Sequence, residues 1–164
     1  MVYFGGFFCV SSALKIMHSS AASSVHQRYQ QLIITLVQQQ QVMALLSSSQ
    51  RWAWSVTPTG QQALALWQHP RLLQPMLEHW PGYCIYPIAL ADLIDKVLPV
   101  LQREHKYLIL NMSADGEQIL RTPQQFLLDL KHYLYALQSQ DPSAFQRLGL
   151  PEPRKIRLHK KTEP

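Results

Sequence analysis

Seven histidines (His18, His26, His69, His79, His105, His132 and His159), two cysteines and ten carboxylates are the groups through which this chain would hold a metal or move a proton. Metal ligation from a helix uses ligands one turn apart, as in His-Glu-x-x-His, and no two histidines stand at that spacing. Glu78-His79 and Glu104-His105 are sequence neighbours, which a helix points in different directions. Two thiols, Cys9 and Cys84, neither complete a zinc site nor form a disulfide framework. Cys84 lies in an apolar stretch, where a free cysteine packs as a small hydrophobe. Asp92 and Asp95 share a helical face, an arrangement suited to acid–base work. Lys96, however, follows Asp92 by four residues, the spacing of an ordinary helix ion pair. There is no Gly-x-Ser-x-Gly elbow, and six scattered glycines make no phosphate-cradling loop. The expectation is therefore no catalytic residue, no cofactor site and no metal ligand.

Aromatic and basic residues remain. Trp52, Trp54 and Trp67 are the candidate interaction surface. Tryptophans can form a stacking platform for bases, but only Arg51 supplies a charge beside them, and core packing is the competing role. Arg154, Lys155, Arg157, Lys160 and Lys161 form a candidate anion-binding tail. From Pro151 onward these five bases face two acids, so the tail carries +3 of the net +5 and residues 1–150 only +2. Such a tail suits nucleic acid, acidic protein or anionic lipid, or simply solubilises the chain end.

These residues must be positioned by elements that the rest of the sequence encodes. At 164 residues, with 47% hydrophobic and 15% charged residues, the chain fits one domain with a sizeable core. Residues 1–16 run fourteen residues without a charge before Lys15, too short to span a membrane and with the charge on the wrong side for a signal peptide. Met17 is expected to begin the native protein, with 1–16 a non-native or disordered extension. A helix is predicted from Ser23 or Ser24 through Ala44, with glutamines 38–41 on its surface. Trp52-Ala53-Trp54-Ser55-Val56 alternates with period two, and Thr57-Pro58-Thr59-Gly60 suits a type I turn into a returning strand over 62–67. Pro70 opens a short helix, which Pro75 limits or kinks. After the Trp80-Pro81-Gly82 turn come an extended piece over 83–86, a helix over 88–101 bent at Pro99, and a strand over 106–112. Thr122-Pro123-Gln124-Gln125 reads as a capping box before a helix carrying Phe126, Leu130 and Leu134. Asp141-Pro142 caps one further short helix, closed by Gly149, and residues 151–164 read as a mobile tail.

The order of elements over residues 42–134 resembles a small bacterial family, domain of unknown function 2750. The matching features are the helix into Val42-Met43-Ala44-Leu45, the strand with Trp52 and Trp54, and Leu66-Trp67-Gln68-His69-Pro70. Trp80, the Leu90-Ala91-Asp92 helix start, Leu98-Pro99 and the helix opened by Pro123 complete the set. Gln68-His69 interrupts a tryptophan–proline step that the family tends to show. The resemblance implies a compact α+β domain in cytosolic bacterial proteins and transfers no active site. The expected architecture is α+β: a small antiparallel or mixed sheet of three to four strands against three to four helices, in a single domain over 17–150 followed by the 151–164 tail. The expected function is a non-enzymatic protein-interaction module of the bacterial cytoplasm with another protein as partner. Its alternatives are a nucleic-acid accessory protein acting through the basic tail and an enzyme without a recognisable motif.

Overall fold

The computed structural model describes residues 11–157, with side chains from residue 25 onward. Helix α1 (Ser11–Gln39) begins well before Ser23 and runs without a break across position 17. It also ends sooner than its apolar stripe suggests. Gln40 adopts φ +54, the left-handed conformation that terminates helices, and the Leu90 amide donates to its carbonyl at 2.8 Å. Strand β1 (Gln41–Ser47) then starts at once. The predicted helix over Val42-Met43-Ala44 is thus a strand. Val42, Met43, Ala44 and Leu45 are all buried, so both faces of β1 are covered, and a continuous apolar run carries no period that separates strand from helix.

The predicted hairpin forms, with β2 (Trp54–Val56) antiparallel to β3 (Gln62–Leu66). The Gly60 amide closes the turn on the Thr57 carbonyl at 2.9 Å, with Gly60 at φ +83. β4 (Tyr83–Ala89) is longer than the expected 83–86 piece and pairs antiparallel with β1 from Gln41↔Ala89 to Ser47↔Tyr83. β5 (Tyr107–Leu110) lies parallel to β3, and β6 (Ile119–Arg121) antiparallel to β5. β6 has no counterpart among the expected strands, because three residues show no period. The four-stranded order is β2-β3-β5-β6, and single bridges, Met43↔Trp67 and Leu46↔Trp52, join it to β1-β4.

Prolines shape the connecting helices. Pro70 opens α2 (Pro70–Leu73), where His69 caps by accepting the Arg71 amide, and Pro75 sits where the chain tightens into a 3₁₀ turn over Gln74–His79. After α3 (Leu90–Asp92) the helix widens into a π turn over Leu93–Val97 before α4 (Leu98–Arg103). Pro99 has no amide to give, so a regular α ladder cannot continue through it, and the widened turn is the local adjustment. α5 (Pro123–Gln140) carries the predicted capping box, with Thr122 and Gln125 each bonded to the other's backbone. Asp141 caps α6 (Pro142–Arg147).

The architecture is α+β, with a mixed sheet between unequal layers. Successive residues of β3 point to opposite faces. Leu64 and Leu66 join the main core with Leu32 and Leu36 of α1, Leu93, Leu98, Leu108, Phe126, Leu130 and Leu134. Ala65 and Trp67 join a smaller core with Met43, Leu45, Leu73 and Met76, under α2 and the 3₁₀ turn. Residues 151–157 do not stand free, contrary to the expected mobile tail. Ile156 is 4% exposed within the main core, and Lys131 Nζ donates to its carbonyl at 3.1 Å. Cys9, His159, Lys160, Lys161 and the first ten residues of the expected 1–16 extension lie outside the described residues. Among the described residues, no helix is long and apolar enough to cross a membrane.

Candidate functional site

The three tryptophans meet different fates. Trp67 is fully buried, with its indole N–H donating to the Met112 carbonyl at 2.8 Å. It is therefore withdrawn from the candidate surface, because its position at the end of a strand covered on both faces leaves no exposed side. Trp54 is half-buried against the main core, and Lys106 Nζ lies 4.1 Å from its ring centroid. Trp52 is also partly buried, but it meets Tyr86 edge-on at 5.7 Å between centroids. Register explains this pair. Ala44 faces Tyr86 and Leu46 faces Cys84 across β1-β4, while Leu46 bridges to Trp52, so all five sit on one sheet face. That face is covered at Val42 and Ile88, which are buried, and open at Tyr86, which is 45% exposed. Cys84 is exposed as well, contrary to the expectation of a packed hydrophobe, because β4 directs it to the uncovered end.

A second feature was not legible in the sequence. His26, Tyr29, Gln30 and Ile33 recur at helical spacing on α1, and Asp129, His132 and Tyr133 do the same on α5. Where these helices face each other they enclose a groove of about 420 Å³. Ile33, Ile34 and Tyr133 line it with apolar surface, and His26, Gln30 and His132 supply polar groups. Tyr29 is 5% exposed, and its hydroxyl donates to Asp129 Oδ2 at 2.6 Å. From β6, Arg121 stacks its guanidinium 4.4 Å from the Tyr29 ring centroid and places Nε 4.0 Å from the same carboxylate oxygen. Burial first, and then the Asp129 carboxylate, push the Tyr29 phenol well above its ordinary range. Tyr29 is thus a hydrogen-bond donor that holds its proton. The local signal for this site is the polar residues set into two amphipathic stripes, but nothing in the sequence says that the stripes face each other.

The remaining candidates are local. Lys96 Nζ is 2.6 Å from Asp92 Oδ1, the predicted ion pair, and this hydrogen bond raises the lysine pKa. Among the described residues, no three His, Cys, Asp or Glu side chains come together as a metal site. Arg154, Lys155 and Arg157 are exposed, with Lys155 paired to Glu152 at 2.9 Å. The Gln68-His69 insertion has structural work: Asn111 Oδ1 accepts the Gln68 amide at 3.0 Å, and His69 caps α2.

The fold defines a small α+β domain in which a mixed sheet positions one open aromatic face and one interhelical groove. Its sequence belongs to the family described as protein of unknown function (DUF2750), whose model matches residues 29–130. Tyr29, Arg121 and Asp129 all fall within that stretch, as do Trp52 and Tyr86. No curated protein matches the chain.

Proposed function

We propose that this protein is a non-enzymatic protein-interaction module of the bacterial cytoplasm, and that its contact surface is the open end of the β1-β4 face. The observation that carries this reading is the Trp52–Tyr86 pair. A large aromatic, 45% exposed, stands edge-on to a partly buried tryptophan packed against the main core. Rigid aromatics held from beneath are the side chains that contribute most at protein interfaces. The exposed thiol of Cys84 beside them suits a reducing compartment.

The face, and not the strand edge, is the contact. Met43 exchanges both backbone hydrogen bonds with Trp67, so its cross-strand partner Pro87 directs its own nitrogen away from β1, toward the open edge of β4. A proline there denies an added strand one donor, a usual protection of exposed edges. The basic tail is less suited to be the contact, because its described part is docked by Ile156 and one of its bases is already paired.

The test is affinity capture from bacterial extract with the wild-type chain, Tyr86→Ala, and the control Val56→Ser. Val56 is 63% exposed on β2 and lies outside the patch. One stoichiometric protein partner is expected with wild type and control, bound about tenfold or more weakly by Tyr86→Ala. Undiminished binding by Tyr86→Ala, or no retained partner, overturns the reading.

A further inference from the structure

We propose that the groove between α1 and α5 binds a small organic ammonium, an amine carrying its charge at one end of an apolar body. This site is independent of the aromatic face on β1-β4. Its volume of about 420 Å³ lies within the size range of small-molecule sites. Among its described lining residues, Asp129 is the one carboxylate, and neither lysine nor arginine lines it. Tyr133 adds an aromatic ring, whose electron-rich face favours cations, while the Tyr29 ring already carries the Arg121 guanidinium. Ile33 and Ile34 provide the apolar wall that a hydrocarbon body would cover.

The carboxylate is held for this role. Tyr29 donates to Oδ2, which fixes the side chain, and no hydrogen bond to Oδ1 occurs among the described residues. Arg121 is the competing cation, but it lies outside the lining. Its guanidinium stacks over the Tyr29 ring, and its Nη1 donates to the Leu120 carbonyl at 2.9 Å. At 4.0 Å from Oδ2 it reduces the negative charge without occupying the groove. The Asp129 side chain is 40% exposed, so an entering ammonium reaches it without displacing the Tyr29 bond.

The experiment is a ¹H–¹⁵N NMR titration of the full chain with three probes of like shape: 2-phenylethylamine, 2-phenylethanol and 3-phenylpropionate. The amine is expected to shift amides of α1 and α5 around Tyr29 and Asp129, and to bind about tenfold tighter than the alcohol, a margin one partly exposed ion contact supplies. Asp129→Asn retains an acceptor for Tyr29 and is expected to remove this preference. Ile34→Trp, which fills the groove while leaving the carboxylate, is expected to abolish binding and guards against Asp129→Asn failing to fold. Equal binding of amine and alcohol, preference for the carboxylate, shifts confined to another surface, or no shifts at about 10 mM amine, roughly tenfold above a 1 mM dissociation constant, overturn the proposal.

Discussion

Tyr29 and Asp129 stand 100 residues apart in sequence, yet their 2.6 Å bond ties α1 to α5. The phenol's raised pKa makes that tie dependent on pH. An acid whose folded-state pKa exceeds its unfolded value holds its proton more tightly when folded. Its stabilisation is therefore complete below the unfolded value, 10.0 for tyrosine, and declines as pH rises above it. Tyr29→Phe is expected to lose about 1.5 kcal/mol at neutral pH, the low end for a hydrogen bond to a charged group because Asp129 is partly exposed. The gap to wild type should narrow above the unfolded value. Urea unfolding of both chains at neutral and at strongly alkaline pH checks this, and curves that stay parallel would refute the linkage. Trp67 shows the same dependence of a polar group on a distant partner. Its indole N–H is satisfied only because the carbonyl of Met112 lies 2.8 Å away.

Helix α5 joins the main core, the groove and the chain end. It contributes Phe126, Leu127, Leu130 and Leu134 to the main core, forms one wall of the groove, and receives Ile156 through Lys131. Its start is set locally by Thr122, whose hydroxyl accepts the Gln125 amide at 3.1 Å while Gln125 Oε1 accepts the Thr122 amide at 3.2 Å. Pro123 occupies the first turn, where a missing donor loses nothing. Thr122→Ala is expected to cost about 1 kcal/mol, the usual loss of a threonine cap. Thermal unfolding measures it, and an unchanged midpoint would show that tertiary packing alone holds this terminus. β1 presents the opposite case. Its boundary with α1 rests on one left-handed residue, Gln40, and on the Leu90 amide that binds its carbonyl.

Across the whole molecule, the main core takes side chains from four helical segments, α1, the α3–α4 run, α5 and α6, the α2-3₁₀ segment covers the smaller core, and the chain end completes the larger one. Ile156 is as buried as Ile33 of α1, each 4% exposed. Removing its side chain beyond Cβ should therefore act as a core truncation. Ile156→Ala in the full chain is expected to cost about 2 kcal/mol, near the lower end of such substitutions because the site lies at the core's margin. Chemical denaturation decides between this and a solvated tail, for which the loss would be close to zero. The same docking fixes where Arg154 and Arg157 are presented, so the basic charge of residues 151–157 belongs to the surface of the domain.

Contacts within about four residues are legible in the order of the amino acids alone. The β2-β3 turn, the Thr122 box, the Asp141 cap, the Asp92–Lys96 pair and the amphipathic stripes of α1 and α5 all depend on local spacing. The family resemblance is legible too, since it rests on the order of aromatics and prolines. What sequence spacing does not supply depends on which faces meet. Val42-Met43-Ala44-Leu45 is strand because layers cover both its sides, and burial on both sides erases the period that marks a strand. Cys84 is exposed and Trp67 buried because the covering layers end at one point of the sheet and not at another. The parallel pairing of β3 with β5, the Tyr29–Asp129–Arg121 cluster and the seat of Ile156 join segments distant in the chain. Such contacts leave no mark on local composition, because either partner alone reads as an ordinary surface or core residue until packing brings the two together.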